Sequence, residues 1–159
     1  MKKSLRKKAL GIITITILMA LILSIHAPSL YSVGNGNGYG GCTGTIGYWK
    51  THPDEWPIDT IMIGGVQYSK EDAIEIMEEP AQGDKTYSMF EQLVAAKLNV
   101  EMGAESSCVD DSIDDADQWL IDYPLGSGVK GELWEETGEP IKEILDEYNN
   151  GELCAPHCE

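Results

Sequence analysis

Residues 42–57, with the sequence CTGTIGYWKTHPDEWP, concentrate many of the chain's chemically versatile side chains. His52 stands in the middle of this segment, where it could act as a metal ligand or as a general base. Because His52 precedes a proline within an aromatic segment, we expect it to cap a short helix or to bond a backbone carbonyl. Metal ligation and general-base catalysis are the alternatives.

A second reactive group lies in the C-terminal sequence CAPHC, which contains Cys154, His157 and Cys158. With Cys42 and Cys108 the chain has four cysteines, an even number that predicts two disulfides in an exported protein. A bridge within the tail would restrain little of the unfolded chain, so we expect Cys42 and Cys108 each to pair with one tail cysteine. The alternative is a zinc site made from the tail residues and completed by Cys42 or Cys108.

A dense run of aspartates raises calcium binding as a third kind of chemistry, because calcium takes six to eight oxygen ligands. The run lacks the calcium-loop pattern D-x-[DN]-x-[DN]-G, and its apolar residues have helical spacing. We therefore expect a solvated helix face at Asp110, Asp111, Asp114, Asp115 and Asp117. No cofactor is certain from the sequence, but calcium and zinc stay open, with the candidate ligands His52, His157, Asp110, Asp111 and Asp114.

Four aromatic residues form a candidate platform for a ligand such as a sugar ring: Tyr48, Trp49, Trp56 and Trp134. Large aromatic side chains dominate the cores of small domains, so packing in the core is the expected role. No catalytic residue is predicted, because the sequence contains no G-x-S-x-G, H-E-x-x-H, P-loop or dinucleotide-binding motif. A hydrolase that uses two of the many carboxylates is the remaining enzymatic alternative.

The N-terminal third differs from the rest of the chain. Five basic residues precede an apolar run from Ala9 to Ile25, which is the form of a secretory signal. Residues 1–32 are predicted to be a cleaved signal peptide or a retained membrane anchor. The sequence VGNGNGYGG at 33–41 predicts a glycine-rich spacer, and residues 42–159 are long enough for one domain.

The acidic balance of the chain excludes some partners. Beyond residue 32 all 27 acidic residues face six basic ones, which gives the domain and its spacer a net charge of −21. Such a surface repels nucleic acid and anionic lipid headgroups. We expect no nucleic-acid partner, and contact with a membrane only through residues 1–32 if they are retained.

The elements that must position these residues are mainly helical. The apolar segment from Tyr87 to Met102 predicts a central buried helix. Lys97 lies in the midst of its apolar residues, and we expect it to reach a carboxylate or to extend to solvent. Gly64-Gly65 between apolar runs predicts a β-hairpin, and Ser69 with Asp72 predicts a helix start. The predicted fold is a small single-domain helical bundle with one short hairpin, stapled by disulfides, and its other helices are expected at 45–51, 109–123 and from Pro140 to Tyr148.

Several segments resemble a family of uncharacterised secreted domains of bacterial and archaeal surface and extracellular proteins. They are GYWKTHPDEWP, GGVQYSKEDAIEIM, FEQLVAAKLNV, ADQWL, YPLGSGV and LDEYNNGELCAPHC, and they cover residues 42–158 in the family's order. This chain ends in CAPHC, whereas members of the family often lack the last cysteine. The resemblance implies an extracellular module and assigns no catalytic residue.

The function predicted from the sequence is a non-catalytic module of the cell surface, for adhesion, matrix or envelope structure. Its expected location is extracellular, or anchored on the outer face of the cytoplasmic membrane, with an unidentified surface or extracellular partner. The alternatives are a secreted cation-binding or metal-binding protein and a small hydrolase of polysaccharide or peptidoglycan.

Overall fold

The computed structural model describes residues 41–80 and 83–159. The predicted export segment, 1–32, and the predicted spacer up to residue 40 lie outside the described residues. The described part is a helical domain with one β-hairpin and two disulfides, so the predicted fold class is confirmed. None of the helices in these two ranges is long and apolar enough to cross a membrane.

The elements of the described residues follow one another with short connections. They are helix α1 (Ile46–Thr51), a 3-10 turn (Pro53–Glu55), strands β1 (Thr60–Ile63) and β2 (Val66–Ser69), and helices α2 (Lys70–Glu78), α3 (Lys85–Glu101), α4 (Asp110–Asp122), α5 (Glu132–Thr137) and α6 (Glu139–Asn149).

Helix α3 forms the centre of the domain, as its composition predicts. It is buried nearly all round and packs against α1, α2, α4, α6 and β1. Its first turn is fixed by Asp84, whose carboxylate accepts hydrogen bonds from the Thr86 backbone at 3.0 Å and from the Gly128 backbone at 2.8 Å. Burial raises the pKa of Asp84, but these hydrogen bonds outweigh burial and hold that pKa below its usual value.

The hairpin forms around Gly64 and Gly65, which have φ angles of 55° and 74°. Two successive residues with positive φ fit a two-residue type I′ turn, where glycine is favoured. The register pairs Ile63 with Val66 and Ile61 with Tyr68, and Ile61 and Ile63 enter the core. A Cβ at Gly64 would lie 2.8 Å from the Leu120 Cβ, so the hairpin tip needs glycine to approach α4.

Helix α5 is the element that the sequence did not predict. Its sequence ELWEET is too short and too acidic to show an apolar stripe, and only Trp134 is buried. The indole of Trp134 packs edge-on against Trp119 with 5.6 Å between ring centroids. Gly138 joins α5 to α6. This position needs glycine, because a Cβ there would lie 2.5 Å from Trp134 Cε3. Tertiary packing of one indole therefore stabilises this helix.

The disulfides join Cys42 to Cys158 and Cys108 to Cys154. The prediction that each of the two earlier cysteines pairs with one tail cysteine is confirmed. The zinc alternative loses its sulfur ligands, because all four cysteines are oxidised. Disulfides persist in oxidising compartments and are rare in the cytosol.

The C-terminal tail returns to the start of the domain as a short parallel pairing. The Thr43 backbone N–H donates to the Pro156 carbonyl oxygen at 2.8 Å, and the Cys158 N–H donates to the Thr43 carbonyl oxygen at 3.0 Å. Gly151 makes room for this return, since a Cβ at that position would lie 2.1 Å from the His157 backbone nitrogen. The two ends of the domain are thus held together by backbone pairing as well as by a disulfide.

Candidate functional site

The segment 42–57 is docked on the domain by one buried amide, that of Asn99 in α3. Asn99 Oδ1 accepts from the Gly44 backbone at 2.7 Å and from the Trp49 indole at 3.0 Å. Asn99 Nδ2 donates to the Gly44 carbonyl at 3.0 Å and to Asn149 Oδ1 at 2.9 Å. With 0% of its surface exposed, Asn99 has its side-chain hydrogen-bonding capacity filled by protein groups.

The hydrogen bonds continue from Asn149 in α6 across to α3 and then to the surface. Asn149 Nδ2 donates to Gln92 Oε1 at 2.7 Å and to the Gln92 carbonyl at 3.0 Å. Gln92 Nε2 donates to Asp146 at 2.7 Å, and Lys142 Nζ donates to the same carboxylate at 2.8 Å. Burial raises the pKa of Asp146, but these two donors and Asn150 outweigh burial and lower it. The network joins α1, α3 and α6 through bonds directed at single atoms.

The three tryptophans of the candidate platform lie in the core. Trp49, Trp56 and Trp134 are 3%, 7% and 3% exposed. Trp56 Nε1 donates to the Trp49 carbonyl oxygen at 2.9 Å, so the second indole closes over the end of α1. These three indoles pack in the core, and Tyr48 is half-buried beside Trp49.

The two candidate histidine ligands are exposed and occupied with local contacts. His52 stacks on Tyr48 with ring centroids 4.4 Å apart, and its Nδ1 lies 3.0 Å from the Tyr48 carbonyl oxygen, which makes that nitrogen a donor. His157 takes part in the backbone pairing with Thr43. Within residues 41–80 and 83–159, no three His, Cys, Asp or Glu side chains are grouped so that they could hold a metal ion.

Lys97 leaves the buried helix α3 toward the gap between the hairpin and α4. Its ammonium contacts Asp117 Oδ2 and donates to the Met62 carbonyl oxygen at 2.7 Å. Asp117 Oδ1 accepts from the Gly64 backbone at 2.8 Å. The predicted reach of Lys97 to a carboxylate is therefore present, and the ion pair joins α3, α4 and β1.

The other aspartates of the acidic run line the exposed side of α4. Asp110 and Asp111 occupy its first turn, where the helix dipole favours negative charge. Asp110 and Asp114, four residues apart, border a cavity of about 570 Å³ between β1, α3 and α4. Ile58, Val100 and Ile113 also line this cavity, which we call the acidic groove.

A comparison with protein-family models, curated proteins and solved structures finds no significant match to this chain. The resemblance to secreted surface domains therefore stays a prediction. The fold and the placement of side chains are the observations on which a functional proposal can rest.

The sequence prediction missed the amide network. Gln92 and Asn99 are seven residues apart in α3, so they lie on the same stripe two turns apart. Both are buried, in a stretch whose other residues are apolar except for Lys97. That spacing was a usable signal. The partners of these two residues were not visible, because they lie about half a domain away in sequence.

Tyr148 provides a prediction about alkaline pH. Its side chain is fully buried, its hydroxyl has no hydrogen-bond partner among the described residues, and burial followed by Asp110 and Glu105 raises its pKa to about 12. The folded state thus holds this proton more tightly than the unfolded state, whose pKa is about 10. We expect the resulting stabilisation to be complete below pH 10 and to be lost between pH 10 and 12. This loss lowers the free energy of unfolding by at most about 2.7 kcal/mol.

Urea unfolding at pH 9 and at pH 11 measures this loss. Tyr148→Phe removes the ionising hydroxyl, so the variant should lose less stability than the wild type over that interval. At pH 7 the variant should be as stable as the wild type or more so, since the hydroxyl is buried without a partner. An equal pH dependence for both proteins would contradict the assignment to Tyr148. Tyr68 would then be the next candidate, because burial raises its pKa as well.

Proposed function

We propose that this domain is a non-catalytic extracellular module of the cell surface, matrix or envelope. The observation that carries the proposal is that the side chains of the reactive residue types are engaged in structural contacts. Cys42 and Cys158 bond to each other, Trp49 bonds to Asn99, and His52 bonds to a carbonyl of its own helix. The segments that look most like chemical sites therefore serve to close the two ends of the domain onto its core.

The joining of the first and last segments of the domain suits an extracellular protein. A domain whose first and last segments are joined by a disulfide and a backbone pairing offers few frayed ends to proteases, which attack exposed termini and loop tips. The chain has 27 acidic and 11 basic residues, and this negative charge favours solubility and repels nucleic acid. Both features support an exported module.

Location and thiol state test the proposal together. The full chain, carrying a C-terminal epitope tag, is produced in its host, and intact cells are treated with a protease that cannot enter them. We expect the protein in the medium or accessible on the cell surface, with both disulfides formed by intact mass before and after reduction. A protease-protected protein with four free thiols would overturn the extracellular assignment.

Catalysis and cation binding are tested on the exported protein. A screen of polysaccharide, peptidoglycan and peptide substrates at several pH values should give no turnover that depends on the protein. Calorimetry with calcium and with zinc should give no heat and no change in melting temperature. Activity that disappears on substitution of one carboxylate would replace the proposal with a hydrolase, and a saturable heat with either ion would replace it with a cation-binding protein.

A further inference from the structure

The acidic groove has the size and lining of a binding site. Its volume of about 570 Å³ lies within the range of roughly 300–1,000 Å³ that is usual for ligand pockets. Ile58, Val100 and Ile113 make part of its wall apolar, and residues Thr60–Met62 of β1 form one side. The groove therefore combines apolar surface with a strand.

The strand side of the groove carries backbone groups directed outward. The two-residue hairpin loop makes Ile63 and Val66 a hydrogen-bonded pair, and alternation along the ladder makes Ile61 and Tyr68 the next one. The N–H and C=O groups of Thr60 and Met62 must then point away from β2. The bond from Lys97 to the Met62 carbonyl confirms this direction.

The helix side of the groove carries negative charge. Glu101, Asp110 and Asp114 line the groove, and Lys97 is its one lining cation among the described residues. The charge of Lys97 is matched by Asp117, which lies outside the lining. Asp110 and Asp114 form a like-charge pair at i, i+4, and a bound cation would relieve their repulsion.

The contacts of the Lys97 ammonium show how this surface can bind a cationic group. Its ammonium sits between an α4 carboxylate, Asp117, and an outward β1 carbonyl, Met62. One strand repeat earlier, the Thr60 carbonyl has the same direction, and earlier turns of α4 supply Asp114 and Asp110. β1 and α4 thus offer a second position where a carbonyl oxygen and carboxylates could bind a cationic group. This position lies beside the apolar surface of Ile58 and Ile113.

We propose that the acidic groove binds an extended peptide segment of a partner protein that carries a lysine or arginine next to an apolar side chain. The basic side chain pairs with Asp110 and Asp114, and the apolar side chain packs on Ile58, Val100 and Ile113. The backbone of the segment runs along β1, where strand addition supplies main-chain hydrogen bonds. This inference rests on the proposed function, since it names the surface through which the module would engage its partner.

Fluorescence anisotropy on the full exported chain tests the groove, with a short labelled peptide in which lysine and valine alternate. Three comparison peptides carry glutamate for lysine, acetyl-lysine for lysine, or serine for valine. We expect saturable binding of the lysine–valine peptide at physiological salt. The glutamate and acetyl-lysine peptides should not bind, and the serine peptide should bind at least about tenfold more weakly.

Two double variants of α4 separate the groove from the general charge of the protein. Asp110→Asn with Asp114→Asn removes two carboxylates that line the groove, whereas Asp111→Asn with Asp115→Asn removes two that do not. Both variants change the net charge equally. The first should weaken binding about tenfold or more and the second less than about twofold.

Amide chemical shifts of the wild-type protein give a readout that does not depend on a variant folding. On titration with the lysine–valine peptide, the largest shifts should fall on Thr60–Met62 and on Asp110–Asp114. Equal losses in the two double variants, shifts spread over the acidic surface, or no binding by the wild type would each overturn the groove proposal. These results leave the extracellular assignment standing, because that assignment is decided separately by protease accessibility and thiol state.

Discussion

Asn99→Asp should lower the free energy of unfolding by about 4 kcal/mol or more at pH 7, a large loss for a single substitution. The new carboxylate has nearly the shape of the amide, but its second oxygen would face two acceptors, the Gly44 carbonyl at 3.0 Å and Asn149 Oδ1 at 2.9 Å. Two donated bonds become acceptor–acceptor contacts, and a charge is buried without a counterion. Urea or guanidinium unfolding of the oxidised protein measures the loss.

The pH dependence of this variant separates the network from a generally fragile core. In the folded state burial and the missing donors would raise the pKa of the new carboxyl above its unfolded value of about 3.9. The protonated form would again donate one hydrogen bond. The loss of unfolding free energy relative to the wild type should therefore be smallest near pH 4 and grow as the pH rises. A deficit that does not change with pH would contradict this account.

Asn150→Asp is the matched control, because it makes the same substitution one residue beyond the buried Asn149. Asn150 is exposed, and its amide donates to the Asp146 backbone oxygen at 2.8 Å and to the Asp146 carboxylate at 3.1 Å. Water can replace those bonds, so the cost should stay within about 1 kcal/mol. If Asn99→Asp costs no more than this control, the amide network does not dock the opening segment.

The elements of the fold were predictable where local chemistry decides them. Thr45 caps α1, and the His52-Pro53 step ends that helix. Ser69 accepts from the Asp72 backbone at 3.1 Å, as the spacing of the two residues indicates. Gly64-Gly65 specifies a tight hairpin turn by its backbone freedom alone. Each of these signals lies within a few residues of the structure that it determines.

The site was less predictable, because its contacts are long-range. The sequence pointed to the reactive residue types of 42–57 but not to Asn99, which lies 55 residues from Gly44 and 50 from Asn149. A single asparagine in a helix reads as a surface residue until the apolar residues around it are shown to be buried. The acidic groove is of the same kind, since Ile58 and Asp110 meet only when the hairpin packs beside α4.

The second large effect is expected from the disulfides, whose removal acts mainly through the unfolded chain. Cys42–Cys158 closes a loop with a sequence separation of 116, and Cys108–Cys154 one of 46. In the chain-entropy model these loops correspond to about 4.8 and about 4.0 kcal/mol at 25 °C. We therefore expect Cys42→Ser with Cys158→Ser to destabilise the protein by up to about 5 kcal/mol, and Cys108→Ser with Cys154→Ser by somewhat less.

Hydrogen exchange tells whether this loss arises in the unfolded or in the folded state. In the wild type the tail is also paired to Thr43 by two backbone hydrogen bonds and lies against Gly151, and the substitutions do not themselves delete these contacts. If chain entropy dominates, the Thr43 and Cys158-position amides should lose protection only as far as global stability falls. Opening of these amides far below the global unfolding free energy would show instead that the disulfide holds the tail in place. The pairing of the two ends of the domain would then be a consequence of the Cys42–Cys158 bond rather than an independent contribution of the backbone.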